Sequence, residues 1–352
     1  MPRERILLLL FGGIGDLLMF TPALDVLAKS FPQVPIDALV RSGAGARVLR
    51  DNPALSRIIP YHRNSSNRLQ ERLKLLRTLR QGHYTRSITI CVDFDYKTGL
   101  LALLAGAKWR MGPDVRHHGI FYTRKIPMSP QTHYIDRNYA LVQLAGADAP
   151  LESRKLHFFL NQQEREAAVR FLQEHGISSK EFLVGIHPGC GTWRLERRWP
   201  REYYSQLIKR IIRETKARVL LLGGAEEKET LEAIRQEVDS GVISQDPNAS
   251  LGEYAALVER CSLFIGNDGG AWHLAAAMQT PTISLMGPTD PTWVGHPGKQ
   301  HLVLQSGLPC SPCLDMYDYA SRGCAAQTCM RAITVSQVMQ AVQQRLGQEP
   351  KN

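Results

Sequence analysis

Short unbroken apolar runs alternate with longer stretches in which apolar positions recur every three or four residues. Ile6–Phe11 is a continuous apolar run ending in glycines, the pattern of a strand buried on both faces. Leu17–Ser30 follows with helical spacing despite Pro22, and Ile36–Val40 and Ser87–Val92 predict further strands. Leu69–Leu79 predicts a basic helix. Its positions Leu69, Leu73, Leu76 and Leu79 are expected to pack, while Arg68, Arg72, Lys74, Arg77 and Arg80 meet solvent. A second series begins near residue 155. Strands are predicted at Phe182–His187, Arg218–Leu222, Leu263–Ile265 and Thr282–Met286. Helices are predicted at Glu164–His175, Arg201–Glu214, Glu226–Val238, Leu251–Glu259 and Ala271–Met278.

Alternating strands and helices imply parallel sheets with crossover helices. Two such series in 352 residues predict an α/β protein of two Rossmann-like, doubly wound domains facing each other, 1–155 and 156–352. No internal repeat or low-complexity segment is visible. In open α/β sheets ligands bind beyond the carboxyl ends of the strands, so the loops there are where chemistry is expected.

Composition narrows the class. Hydrophobic residues make up 43% and charged residues 22%, as in a soluble globular protein. No run reaches the roughly 18–20 apolar residues that span a bilayer; Ile6–Phe11 and the stretch around Leu100–Ala107 are far shorter. Nothing at the N-terminus reads as a signal peptide, so the expected location is the cytoplasm. The net charge of +10 is uneven. Residues 1–155 hold 23 Lys and Arg against 12 Asp and Glu (+11), and the remainder holds 20 against 21 (−1). Such asymmetry suits either a polyanionic partner or simply a solvated basic surface. A nucleic-acid reading lacks support, because no recognition motif is present and the arginines of one amphipathic helix are not interleaved with aromatics.

Four loops carry candidate chemistry. Gly12-Gly13-Ile14-Gly15-Asp16 resembles a dinucleotide fingerprint with Leu18 at the third glycine position. Asp16 would stand where a pyrophosphate binds, either as a helix N-cap or as a general base. His187-Pro188-Gly189-Cys190-Gly191-Thr192, followed by Arg194, Arg197, Arg198 and Trp199-Pro200, offers a hydroxyl at Thr192 and a bidentate phosphate donor at Arg197. Gly223-Gly224-Ala225-Glu226-Glu227 places a carboxylate beyond a glycine turn, suited to ribose hydroxyls or to an ordinary first helical turn. Gly266-Asn267-Asp268-Gly269-Gly270-Ala271-Trp272-His273 gives a strand, a glycine turn and a helix whose N–H groups aim at an anion. His273 is placed either to reach that ligand or to be a buried core histidine. The next strand ends in Gly287-Pro288-Thr289-Asp290-Pro291 at the same edge.

Taken together, Gly15-Asp16, His187-Pro188-Gly189 with Arg197-Arg198-Trp199-Pro200, and Asp268-Gly269-Gly270-Ala271-Trp272-His273-Leu274-Ala275-Ala276 with Gly287-Pro288-Thr289-Asp290-Pro291 resemble glycosyltransferase family 9, the ADP-heptose:lipopolysaccharide heptosyltransferases. The resemblance implies a GT-B fold with an acceptor-binding N-terminal domain and a donor-binding C-terminal domain. It also makes the last helix a candidate to pack back on the N-terminal domain. It implies an inverting, metal-independent transfer from ADP-heptose to an anionic glycolipid, with Asp16 as catalytic base. Thr192, Arg197, Gly224, Glu226 (or Glu227), Asp268, Gly269, Gly270 and His273 would bind the donor. Arg197 stands where the family commonly has lysine, which keeps the charge and changes the hydrogen-bond geometry. The basic N-terminal domain would then meet a phosphorylated acceptor on the inner leaflet of the membrane. The alternatives are a different nucleotide sugar, a protein acceptor, or a nucleotide-sugar-binding protein without catalysis.

Seven cysteines occur, and Cys310, Cys313, Cys324 and Cys329 fall within 20 residues. That spacing suggests a structural Zn or Fe site in the loop 310–329, or else free thiols or a disulfide. Similar clusters occur in some relatives that bind iron. No cofactor is expected for the chemistry itself.

Overall fold

The computed structural model describes residues 4–41, 43–61, 68–90, 96–115, 118–129, 131–191, 194–238, 241–314, 324 and 326–347. The chain forms two compact units, residues 1–159 with 292–294, and residues 160–291 with 295–352.

In the first unit six parallel strands form one sheet: β1 (Ile6–Leu10), β2 (Ile36–Arg41), β3 (Arg57–Tyr61), β4 (Arg86–Thr89), β5 (Trp109–Asp114) and β6 (Arg124–Pro127), in the order β3-β2-β1-β4-β5-β6. Helices α1 (Ile14–Ser30), α2 (Ala44–Leu49), α3 (Arg68–Gln81), α4 (Tyr96–Leu104) and α5 (Tyr134–Leu144) connect and cover it. β1 is central and wholly buried, which is why its sequence shows no alternation. Pro22 sits inside α1 without ending it. Proline cannot donate to the carbonyl four residues back; the Thr21 hydroxyl donates to that carbonyl, Leu18 O, at 2.7 Å instead. The same Thr21 oxygen accepts from the backbone N–H of His157 at 3.0 Å, tying down the segment that leaves this unit. Leu156 and Phe158 are buried there as well. The unit therefore runs to Phe159, slightly past Lys155. In α3, Leu79 is buried, but Leu73 is 47% exposed and does not join the packed face.

The second unit repeats the architecture. Its strands are β7 (Leu183–His187), β8 (Arg218–Leu221), β9 (Val242–Ser244), β10 (Leu263–Asn267), β11 (Thr282–Leu285) and β12 (His301–Leu304). They are parallel and ordered β12-β11-β10-β7-β8-β9, the same winding as the first sheet when read from its own first strand. The helices of this part of the chain are α6 (Gln162–Glu174), α7 (Arg201–Glu214), α8 (Lys228–Val238), α9 (Leu251–Glu259), α10 (Gly270–Ala277), the short α11 (Pro291–Val294), α12 (Thr328–Ala332) and α13 (Val335–Leu346). The last helix packs inside the second unit. Its Val338, Met339 and Val342 share a core with Trp199, Tyr204 and Ile208, and the Trp199 indole N–H donates to Ile333 O at 2.7 Å. Its continuous apolar face finds these partners in the second unit's core.

Candidate functional site

Asp16 lies at the carboxyl end of β1, in the first turn of α1. It is not the N-cap; that position is Gly13, and Asp16 is the third helical residue reaching back to accept the Gly13 N–H at 2.7 Å. This half of a capping box holds the carboxylate in one orientation at the positive end of the helix dipole. Gly12 makes the arrangement sterically feasible, because a Cβ there would lie 2.5 Å from Asp16 Cβ and 2.9 Å from its Oδ2.

In the second unit the loops after β7, β8, β10 and β11 carry the other candidates. Asp268 is buried just beyond β10 and accepts a 2.5 Å hydrogen bond from the Thr289 hydroxyl of the β11 loop. Arg197, from the β7 loop, meets the same carboxylate oxygen with its Nη1 at 3.0 Å. A carboxylate with 4% side-chain exposure needs such a partner, because an unpaired buried charge costs several kcal/mol. The pair sets the guanidinium beside Gly269, the N-cap of α10, where unsatisfied N–H groups attract anions. The other two arginines of this loop are engaged as well. Arg194 is buried against Glu196 at 3.1 Å, and Arg198 donates to Gly191 O at 3.0 Å. Cys190, packed between them, has its thiol pushed up to about 11 by burial. Thr192 lies outside the described residues.

Asn267 joins these loops and was not singled out by the sequence. Its Oδ1 accepts from the Trp199 N–H at 2.9 Å and the Tyr204 hydroxyl at 3.0 Å. Its Nδ2 donates to Pro188 O at 2.9 Å and Gly189 O at 3.1 Å. One buried amide thus clasps both ends of the β7 loop. The signal that pointed to it was its place at the strand end, directly before Asp268; β10 extends two residues further than the apolar run, as far as Asn267.

After β8, Gly224 caps a short turn over Ala225–Glu227. The helix expected from Glu226 starts at Lys228 instead, because Glu227 turns back to accept the Gly224 N–H at 3.1 Å. Glu227 is buried, and a Cβ on Gly189 would collide with its carboxylate. Glu226 stays exposed on the same turn. Of the two acids, Glu227 shapes the loop and Glu226 faces solvent.

His273 is buried in α10 and shares a 3.0 Å hydrogen bond with His296, whose ring is tilted by 45° against the Trp272 ring at 4.4 Å. Beside it, the Trp272 N–H donates to the Thr282 hydroxyl and His301 Nδ1 shares a bond with that hydroxyl, each at 3.0 Å. Burial, aided by the Arg345 charge, lowers the His301 pKa from 6.5 to about 4. The buried His187, bonded to the Tyr254 hydroxyl at 3.1 Å, is lowered too, mainly by desolvation. Above about pH 6.5 the His301 ring is neutral in folded and unfolded chains alike. Below it the unfolded chain gains the proton first, so stability is lost as pH falls from about 6.5 toward about 4. The melting temperature is therefore expected to drop across this window. His301→Gln should flatten the drop without abolishing it, because His187 still contributes. An unchanged profile in the variant would remove His301 from this account.

Among the described residues no three His, Cys, Asp or Glu side chains are grouped to hold an ion. Cys310, Cys313 and Cys324 are exposed free thiols, whereas Cys329 is buried where a Cβ on Gly287 would touch its sulfur at 2.6 Å. That sulfur packs α12 against the β11 loop, within electrostatic reach of Cys310 and Cys313. Residues 315–323 and Cys91 lie outside the described residues.

The sequence pattern described as "Glycosyltransferase family 9 (heptosyltransferase)" matches residues 72–322. The chain is 28% identical over 325 residues to lipopolysaccharide heptosyltransferase 1 of Pseudomonas aeruginosa, covering 88% of this chain and 86% of that one. A glycosyltransferase family 9 structure from Veillonella parvula superposes with a TM-score of 0.82 at 22% identity, covering 99% of both chains. An Escherichia coli heptosyltransferase solved with ADP gives a TM-score of 0.72 at 24% identity, covering 97% of this chain and 100% of that one. These neighbours share the GT-B fold expected from the sequence.

Proposed function

Because the chain belongs to glycosyltransferase family 9, the heptosyltransferases, we propose that it moves a heptose from ADP-heptose to an inner-core lipopolysaccharide acceptor, with inversion at the anomeric carbon. The observation that carries this reading is the joining of Arg197, Asp268 and Thr289 at the N-terminus of α10, a cationic, N–H-rich corner suited to a diphosphate. The likeness to the Pseudomonas aeruginosa enzyme and to the ADP-bound Escherichia coli structure supports the choice of donor and acceptor.

In this mechanism Asp16 takes the proton from an acceptor hydroxyl. The oxygen bonds to the anomeric carbon as the bond to the donor's phosphate oxygen breaks on the opposite face, and ADP departs with the bonding electrons. Arg197, Thr192 and the N–H groups of Gly269 and Gly270 stabilise the charge that develops on the diphosphate. Asp268 orients Arg197 toward the ligand. Gly224 and Glu226 serve the ribose, and His273, held by His296, lines the donor end. No step draws on a metal ion. The protein would act in the cytoplasm on an acceptor at the inner leaflet; no helix among the described residues is long and apolar enough to cross a membrane.

A donor screen by mass spectrometry tests this reading, with ADP-heptose offered beside UDP- and GDP-sugars and a lipid-free core oligosaccharide as acceptor. Product from ADP-heptose alone is expected. Turnover of a UDP- or GDP-sugar in its place would overturn the donor assignment.

A further inference from the structure

The apolar run around Leu100–Ala107 is too short to span a bilayer, and the fold leaves part of it uncovered. It lies in α4, where Thr98, Gly99 and Ala102 are buried against the unit. On the opposite face Tyr96 is 47% exposed, Leu103 41% and Leu104 37%, with Leu100 half-buried between them. Positions 96, 100, 103 and 104 are spaced to share one side of a helix. Soluble proteins seldom leave contiguous apolar faces open unless something docks on them.

The charges within α4 and the segment just after it are positive, with Asp93, Asp95 and Asp114 immediately outside that stretch. Residues 96–113 contain Lys97, Lys108 and Arg110 and no Asp or Glu. Arg80, at the end of the basic α3, donates through Nε to Leu104 O at 2.9 Å, which joins that helix to the apolar face. On α3, Leu73, Arg77 and Arg80 also share one side, all exposed. Just beyond α4, Trp109 is 39% exposed and carries two cations on its ring, Arg124 at 4.8 Å and Lys108 at 5.5 Å. Leucines and an amphipathic aromatic rimmed by Lys and Arg match the boundary between acyl chains and anionic headgroups.

We propose that the exposed face of α4, with Arg80, Lys108 and Trp109 at its end, docks the protein on an anionic lipid bilayer, the helix lying along the surface. The inference builds on the glycolipid acceptor proposed above. α4 follows β4, the neighbour of β1, so it starts at the sheet edge that carries Asp16. A glycolipid anchored in that surface would present its sugars to this edge.

The test is co-sedimentation of the full chain with acceptor-free vesicles of phosphatidylcholine, with and without 30% phosphatidylglycerol. The wild type should partition to the anionic vesicles about tenfold more strongly than to neutral ones. Leu103→Asp/Leu104→Asp and Lys108→Glu should each weaken that partition about tenfold, the first by removing apolar insertion and the second by reversing one charge. Transfer to the lipid-free acceptor should be unchanged in both variants, which also reports that they fold. Wild-type partition in the variants would overturn the proposal. So would a wild-type oligomer that the leucine variant dissolves while vesicle binding persists, because the face would then cover a second copy of the chain. Vesicle binding without any transfer would instead overturn the acceptor reading and leave the docking face standing.

Discussion

Replacing Asp16 by Asn is expected to lower kcat by about 10²–10⁴-fold, the usual contribution of a positioned general base. The substitution is a clean one. The amide oxygen can still accept the Gly13 N–H that Asp16 now holds at 2.7 Å, so the start of α1 should persist. What disappears is the basicity. Donor affinity should stay within about twofold, because the proposed donor groups all lie in the second unit. Single-turnover transfer and calorimetric titration with ADP separate the two quantities. Turnover close to wild type would remove Asp16 from the chemistry and reduce it to a helix-capping residue.

The second large effect is expected at a residue with no chemical role. Asn267→Ala should destabilise the protein by about 3–4 kcal/mol, since it strands several buried groups at once. Asn267→Asp should be nearly as harmful for a different reason. Its carboxylate could keep the bonds from the Trp199 N–H and the Tyr204 hydroxyl, but would face Pro188 O and Gly189 O with no proton to donate. Both variants should also weaken ADP binding, because the β7 loop that carries Arg197 loses its clasp. Chemical denaturation and ADP titration are the measurements. If Asn267→Asp kept full stability and affinity, the two donor bonds would be shown to be dispensable.

Sequence pattern revealed the fold best where the strands are fully buried. β1, β2, β7, β8, β10 and β11 sit at or near the sheet centres, and their apolar runs announced them. The strands that stayed hidden are shorter, more polar or interrupted. β3 contains Pro60 and is an edge strand, where a missing N–H is tolerated. β6, at the other edge, reads Arg-Lys-Ile-Pro. α4 gave no helical period because its exposed side is as apolar as its buried one.

The candidate site was legible as a set of loops, since glycines and polar residues follow each central strand. Its internal wiring was not. Nothing in the spacing tells that Arg197 meets Asp268 across 71 positions, that Glu227 rather than Glu226 turns inward, or that Asn267 binds both ends of a loop. Those are tertiary hydrogen bonds, and local pattern carries no record of them. For the cysteines the spacing suggested a tetrahedral centre, and the fold adds that Cys329 is buried while Cys310, Cys313 and Cys324 are exposed.

The doubled winding bears on how the chain reaches this structure during synthesis. Each sheet starts from a central strand and adds neighbours first on one side and then on the other. All six strands of the first sheet precede Phe159, while 193 residues still follow it. At ribosomal speeds of about 5–20 residues per second, that remainder takes roughly 10–40 s to make. A sheet of this size has time to assemble in that interval, with only residues 292–294 of its unit still to come. The basic half of the protein can thus be folded on the ribosome before the second unit is complete.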